Sequence, residues 1–269
     1  MRSRMTVVVP ALLGIAGLVL PARVLASGGN AGGEAYITAE VQFGRPPGSG
    51  LSGRDSSGCT WTPAEYAITL AGNFVVDRVA DGVAYHLFIH SCPGVSVNVW
   101  VPQRSAASLA GEGRDRIEEL LVAPAVMSAP PISNGIVKVG MWFWTDPATF
   151  VPHEVTAWLP TPSGVVWATT RARPVELEFV PGEPGGKPTR CAGPGDAWTR
   201  ADGDEAVSDC MYTYRHSSSI APGGVFETSL SIVWEITWSS SSGASGTNPP
   251  LRTTTTTLVT VNEIQALVG

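Results

Sequence analysis

The chain has 269 residues, of which only 15% are charged, and glycine (30) and proline (22) together make up about a fifth of it. Soluble domains ordinarily carry roughly 25% charged residues. Low charge, many turn formers and abundant valine and threonine predict a mainly β protein. The net charge is −6 and no lysine–arginine cluster occurs, so a nucleic-acid partner is not expected.

The amino terminus has the pattern of a secretory signal peptide. Arg2 and Arg4 form a basic region before an apolar run, and Val24 and Ala26 suit the −3 and −1 positions of a cleavage site. We therefore expect cleavage after residues 1–26, with an uncleaved anchor as the alternative. The apolar run has about 15 residues, whereas a membrane span needs about 20. The mature chain would keep 14 basic and 23 acidic residues, a net charge of −9, and would have no transmembrane span.

The four cysteines all follow the predicted cleavage site, at positions 59, 92, 191 and 210. An even cysteine count in an exported chain predicts two disulfides, and four cysteines allow three pairings. Pairing of sequence neighbours is favoured, which gives Cys59–Cys92 and Cys191–Cys210. The spacings of 33 and 19 residues contain no Cys-x-x-Cys pair, so no metal site is expected.

Composition divides the mature chain into four predicted parts. Residues 27–57 are rich in glycine, proline and serine and are interpreted as a flexible leader. Residues 58–123 form a smaller β-rich unit with one short helix. The three prolines of 124–135 indicate a linker, and 136–269 is predicted to be an antiparallel β-sandwich.

Alternating apolar residues predict a hairpin in the smaller unit. Its strands are Ala84–His90 and Val95–Val101, with Pro93 and Gly94 in the turn. An apolar stripe at helical spacing follows, interrupted by Gly111 and Gly113. Because glycine disfavours helix, we expect the helix near 113–122, or in two pieces.

Strands recur about every 10–15 residues in the carboxy-terminal part, with turn residues between them, as in a β-sandwich. A second hairpin is predicted around the turn Pro160–Gly164. The predicted strands are 136–144, 155–159, 165–170, 174–179, 225–238 and 253–261.

Residues 136–269 resemble the immunoglobulin-like PKD (polycystic-kidney-disease) domain. The run Val175–Gly182 takes the place of that domain's first motif strand, although Val180-Pro181 replaces its Gly-Asp pair. The turn Tyr212–Tyr214 and the following strand take the place of its second motif. The resemblance implies an Ig/PKD-like antiparallel sandwich, to which the cysteine-bounded segment 191–210 is an addition.

The mature chain also resembles a group of secreted actinobacterial proteins without an assigned role. The shared features are a cysteine-bearing amino-terminal β part, Trp142-Phe-Trp144, Cys191-Ala-Gly-Pro-Gly195 and Cys210-Met-Tyr-Thr-Tyr214. Some members carry the description "ATP/GTP-binding". A P-loop needs Gly-x-x-x-x-Gly-Lys-[Ser/Thr], whereas the nearest run, Gly182–Pro188, has the wrong spacing and ends in proline, so no nucleotide partner or cofactor is expected.

Catalytic motifs are missing from the sequence. No Gly-x-Ser-x-Gly elbow occurs. His86 and His90 share a strand face but would lie about 13 Å apart, too far to hold one metal. An acidic cluster between the last two cysteines could bind calcium or be a solvated loop, and solvation is favoured. Its members are Asp196, Asp202, Asp204, Glu205 and Asp209.

Nine tryptophans are the remaining signal. If a pair such as Trp142 and Trp144 were exposed, it would form a platform for sugar or protein contact. Together with Asp196 and Trp198 of the cysteine-bounded loop, this pair is our predicted contact surface. If the pairs face inward, they are core.

These observations favour a non-catalytic binding or adhesion module, secreted or associated with the cell wall. Its partner would be a protein or a glycan. A secreted hydrolase with two carboxylates brought together in space is one alternative, and a structural protein of the envelope is another.

Overall fold

A computed structural model describes residues 37–47, 54–55, 57–64, 75–203 and 205–264. The predicted signal peptide, much of the predicted leader, Asp204 and residues 265–269 lie outside these ranges. The described chain is mainly β, with antiparallel sheets and a single α-helix, as the sequence predicts.

Sixteen strands are present in the described residues. In chain order they are β1 (Ile37–Thr38), β2 (Gln42–Phe43), β3 (Thr60–Pro63), β4 (Asp77–Ala80), β5 (Val83–Cys92), β6 (Val95–Pro102), β7 (Met127–Ala129), β8 (Gly135–Ile136), β9 (Gly140–Trp144), β10 (His153–Thr161), β11 (Gly164–Val180), β12 (Thr189–Cys191), β13 (Met211–Thr213), β14 (Phe226–Ser240), β15 (Ser245–Val259) and β16 (Val261–Asn262). Helix α1 spans Ala106–Leu120, and short 3-10 helices cover Pro147–Thr149, Ser218–Ile220 and Pro222–Gly224.

The strands form two larger sheets and two smaller ones. The amino-terminal sheet has the order β1-β6-β5-β3, with β4 also paired to β5, and only β1 and β6 run parallel. The large sheet has the order β15-β14-β11-β10-β2, with β12 added beside β11. Strands β13-β9-β7 form the small sheet, and β8 pairs with β16. The predicted leader thus contributes β1 to the amino-terminal sheet and β2 to the large sheet.

Both predicted hairpins are present. Strands β5 and β6 join through Pro93 and Gly94, and β10 and β11 join through Pro162 and Ser163. The predicted strands 165–170 and 174–179 are one continuous strand, β11. They merge because the pairing of β11 with β14 shifts register next to Pro174, and such a bulge accommodates a proline that cannot donate a backbone hydrogen bond.

Helix α1 is longer than the sequence predicts and runs without a break through both glycines. Ser105 caps its start, since the Ser105 side chain accepts a hydrogen bond from the Ser108 amide. The helix packs across β10 and β11. Gly113 allows this approach, because a Cβ there would lie 2.8 Å from the buried Thr170 Oγ1.

Two large core clusters lie on the large sheet. One joins it to the small sheet, where the rings of Phe143 and Phe179 stack with centroids 4.7 Å apart. The other joins it to α1 and the amino-terminal sheet, and contains Phe88, Leu109 and Trp158. The amino-terminal unit and the large sheet therefore bury apolar side chains against each other.

Two disulfides are present, Cys59–Cys92 and Cys191–Cys210, the pairing that sequence proximity favours. The first links the ends of β3 and β5 within the amino-terminal sheet. The second links β12 of the large sheet to the start of β13 in the small sheet. Disulfides of this kind are typical of an oxidising extracellular environment.

Candidate functional site

A buried carboxylate, that of Glu183, follows the end of β11. Gly182 turns the chain there with φ +69°, and its backbone passes so close to β14 that a Cβ would lie 2.1 Å from the Glu227 carbonyl oxygen. Only glycine combines this conformation with this approach. The turn directs the Glu183 side chain inward, where it is fully shielded from solvent.

Glu183 accepts four hydrogen bonds in this position. The Tyr212 hydroxyl donates to Oε2 at 2.6 Å. The backbone amides of Arg215 and His216 donate to Oε1, each at 2.8 Å. The His216 Nδ1 also lies 2.8 Å from Oε1. One side chain therefore fixes the chain between β13 and the following 3-10 helix.

These contacts shift the pKa values of Glu183 and Tyr212. Desolvation raises the pKa of Glu183, but the hydrogen bonds from Tyr212, the two amides and His216 together hold the pKa below its usual range. Burial, together with the hydrogen bond to Glu183 and its negative charge, raises the pKa of Tyr212 well above its usual range. At neutral pH Glu183 is thus ionised and Tyr212 is a protonated donor.

An open cleft of about 330 Å³ lies beside this network. Its rims are the short strands β12 and β13, which the Cys191–Cys210 disulfide joins. The cleft is lined by Gly185, Lys187, Pro188, Thr189, Tyr212, Thr213 and Arg215. The lining therefore offers two cations and three hydroxyl groups.

The charge of the cleft is positive in a chain that is acidic overall. Arg215 is held by a hydrogen bond from Nη2 to the Gly185 carbonyl oxygen at 3.0 Å, and its Nε lies 3.9 Å from Glu183 Oε2. Glu183 therefore offsets the charge of Arg215. Lys187 is exposed and forms no ion pair within the described residues. The lining residues include no carboxylate.

His216 and Glu183 form a carboxylate–histidine pair of the kind that activates nucleophiles in hydrolases. The described residues provide no hydroxyl or thiol that bonds to the Nε2 of His216. The two nearest serines in sequence are engaged elsewhere, because the Ser217 Oγ donates to the Val261 carbonyl and the Ser218 Oγ donates to the Gly224 carbonyl. The pair thus serves to orient the chain around the cleft.

The predicted contact surface is only partly brought together. Trp142 is 8% exposed, so it is part of the interior. Trp144 is half-buried, and Gly195 packs against its Cβ. Asp196 is exposed beside this contact, and the half-buried Trp198 donates from Nε1 to the Gly203 carbonyl. The assignment of these four residues to ligand contact stays a prediction.

The nine tryptophans do not form an exposed row. Trp61, Trp100, Trp142, Trp158 and Trp234 are buried. The other four, Trp144, Trp167, Trp198 and Trp238, are half-buried. Trp61, Trp158 and Trp234 are members of the two large core clusters, and Trp167 and Trp238 pack against one of these clusters.

The described acidic side chains between Cys191 and Cys210 point to solvent. Asp202 accepts from the backbone amide and the hydroxyl of Thr199, and these contacts lower the pKa of Asp202. Asp196, Glu205 and Asp209 are exposed. Within the described residues, this loop does not bring three ligand atoms within 4.8 Å of one another.

The two strand histidines each have a separate carboxylate partner. His86 Nδ1 lies 2.7 Å from Asp77 Oδ1, and His90 Nε2 lies 3.4 Å from Asp55 Oδ2. The His90 ring stacks on Trp61 with centroids 4.0 Å apart.

The sequence did not reveal the centre of this site. Glu183 lies in a glycine- and proline-rich loop, where no local pattern distinguishes it from a solvated glutamate. In the sequence, Lys187 lies in a run that departs from the P-loop pattern, and Tyr212 lies in a motif that carries a resemblance only. A hydrophobic strand that ends directly before Pro181-Gly182-Glu183 was the one available hint that this loop turns back to the core.

Comparison with known proteins finds no matching family model, no matching curated protein and no matching solved structure. The helices of the described ranges include none with the length and apolar character needed to cross a membrane.

Proposed function

We propose that this protein is a secreted, non-catalytic binding module of the cell envelope or extracellular space, and that it binds an anionic group of its ligand in the cleft beside Glu183. The observation that carries the proposal is the pairing of Lys187, which has no ion-pair partner among the described residues, with Arg215 and three hydroxyl groups in one cleft.

A cleft of this composition suits a carboxylate or a phosphate on a glycan or similar polymer. Lysine and arginine bind such groups through charge-assisted hydrogen bonds, and hydroxyls can bond to neighbouring sugar oxygens. The acidic surface elsewhere would repel an anionic polymer, so the cations of the cleft would determine where the polymer makes contact.

Two features that fit export support this proposal. The signal-like amino terminus and the two disulfides both fit an oxidising extracellular environment. The Ig/PKD resemblance of residues 136–269 would add a domain type that commonly serves in adhesion.

The hydrolase alternative finds less support. A glycosidase uses two carboxyl groups roughly 5–10 Å apart across its substrate. Glu183 lies beneath the cleft with both oxygens already hydrogen-bonded, and no second carboxylate lines the cleft.

The test is binding of the mature protein to immobilised polymers: a polyuronate, a polyol-phosphate polymer and neutral dextran. We expect binding to at least one of the two anionic polymers, weakening with salt, and none to dextran. The Lys187→Gln and Arg215→Gln variants should each bind about tenfold more weakly, because each loses one charge-assisted hydrogen bond.

Arg200→Gln is the matched control, since Arg200 is an exposed cation outside the cleft. It should bind like the parent protein. If both cleft substitutions leave binding unchanged, the cleft is not the binding site. If the protein binds neither anionic polymer, the proposed class of ligand is wrong.

A further inference from the structure

The amino-terminal disulfide is surrounded by side chains that commonly ligate metals. The His90 Nε2 lies 3.9 Å from the Cys92 Sγ and 3.4 Å from the Asp55 Oδ2. The His90 Nε2 and the sulfurs of Cys59 and Cys92 all lie within 4.8 Å of one another. Two sulfurs and one imidazole nitrogen therefore meet at one point, and the Asp55 carboxylate lies beside the nitrogen.

This cluster supplies three of the four ligands of a tetrahedral zinc site, and a water molecule can be the fourth. Zinc binds sulfur at about 2.3 Å and nitrogen or oxygen at about 2.0–2.2 Å, which places neighbouring ligand atoms roughly 3.3–3.8 Å apart. The His90 nitrogen already lies at about this distance from the Cys92 sulfur. The two sulfurs, now bonded to each other, would have to separate.

The frame around the cluster holds His90 and its carboxylate partner, Asp55, in place. Asp55 Oδ1 accepts from the Cys59 amide at 3.0 Å, and Asp55 Oδ2 accepts from the Trp61 Nε1 at 3.1 Å. The His90 ring stacks on Trp61. The side chains of Asp55 and His90 are 6% and 15% exposed. Partners of this kind fix metal ligands and tune them.

We propose that the cysteine pair has two alternative states: the disulfide, and a reduced state in which Cys59, Cys92 and His90 bind a zinc ion. Proximity brings them together although the sequence has no Cys-x-x-Cys spacing. Cys191–Cys210 has no comparable ligand cluster within the described residues.

A dithiol reductant can convert the disulfide state into the reduced state. Its first thiolate attacks the Cys92 Sγ, which is partly exposed, and the bond to the buried Cys59 sulfur breaks. Its second thiol then displaces Cys92, so that the reductant becomes a disulfide and the protein gains two electrons and two protons. Zinc binding releases those two protons as the thiolates form.

The test is a metal titration of the full mature chain before and after reduction with a phosphine. Cobalt(II) serves as the spectroscopic probe, because tetrahedral coordination gives strong visible bands and thiolate ligation gives a near-ultraviolet charge-transfer band. Zinc affinity is then measured by competition with a chromophoric chelator. We expect one tight site per reduced chain and none in the oxidised chain.

His90→Ala should weaken zinc binding by at least about tenfold. His86→Ala is the matched control, because His86 lies on the same strand but bonds to Asp77, and it should leave zinc affinity unchanged. The Cys59→Ser/Cys92→Ser variant should lose the charge-transfer band, while Cys191→Ser/Cys210→Ser should retain it.

Circular dichroism reports whether each variant is folded, and the two histidine variants decide the question if a cysteine variant is not. The proposal is overturned if the reduced natural chain binds zinc no more tightly than the oxidised chain. It is equally overturned if His90→Ala binds as tightly as His86→Ala.

Discussion

At the scale of single residues, Glu183 has the largest structural role at the proposed cleft. Its four hydrogen bonds connect the loop after β11 to β13 and to the chain that follows β13. A carboxylate removed from water is stable only when such donors replace the lost hydration. Loss of the negative charge would leave these donors facing a poorer acceptor.

Glu183→Gln should lower the free energy of unfolding at pH 7 by about 3 kcal/mol. The substitution should also make the free energy of unfolding depend less on pH. The folded-state pKa of Glu183 is depressed, so its contribution is present above the unfolded-state pKa of 4.5 and is lost as pH falls through the folded-state value. Urea unfolding from roughly pH 3 to pH 7 measures both effects.

Glu227→Gln is the control for this experiment, because Glu227 is an exposed glutamate on the adjacent strand β14. It should leave the pH profile parallel to that of the natural protein. Asp55, whose pKa is also lowered, is present in both variants, so the difference between them isolates Glu183. If the two profiles coincide, Glu183 does not stabilise the fold through its charge.

The cysteine pairs could be predicted from the sequence, whereas the grouping of residues around Glu183 could not. The cysteines could be paired from their order because each pair of sequence neighbours lies within one predicted β unit. Glu183, Arg215 and His216 could not be grouped, since they are up to 33 residues apart and their contact depends on how two sheets pack. No local periodicity records such a contact.

At the scale of elements, helix α1 is continuous where helix propensity predicts a break. Two glycines predict a broken helix, because each costs about 1 kcal/mol relative to alanine. The observed helix is continuous because it packs on β10 and β11, and burial of Leu109 and Ile117 outweighs this cost. Both predicted hairpins were right because a turn depends on residues adjacent in the chain.

The two glycines of α1 should respond oppositely to alanine. Gly111→Ala places a methyl group where no atom lies within 4 Å, so it should stabilise the protein by about 0.5–1 kcal/mol. Gly113→Ala brings its methyl group to 2.8 Å from the Thr170 Oγ1, which donates to the Ala110 carbonyl oxygen. We expect this variant to be destabilised by about 1–3 kcal/mol.

Thermal and urea unfolding of the two single variants measure this difference. Each glycine is the control for the other, because they share a helix and the same substitution. Stabilisation by both substitutions would show that the helix can move away from β11 at little cost, and the packing explanation for the continuous helix would then fail.

At the scale of the whole molecule, the sequence predicts a small unit, a linker and a sandwich. In the described residues, the small unit and the large sheet share a core cluster. Phe88 of the amino-terminal sheet, Leu109 of α1 and Trp158 of the large sheet belong to one buried cluster. Strand β2, from the predicted leader, pairs with β10. Composition located the proline-rich segment 124–135 but carries no information about which faces pack together. These contacts predict that the two parts unfold together.

Leu109→Ala tests this cooperativity. Leu109 is fully buried, and its truncation should lower the free energy of unfolding by about 3 kcal/mol. Amide hydrogen exchange should then accelerate by the same factor in β5 and in β14, because one cooperative unit shares the loss. Leu120→Ala, on the same helix but 43% exposed, should change stability by less than about 0.5 kcal/mol. Acceleration confined to β5 and α1 would instead show that the amino-terminal unit unfolds independently of the large sheet.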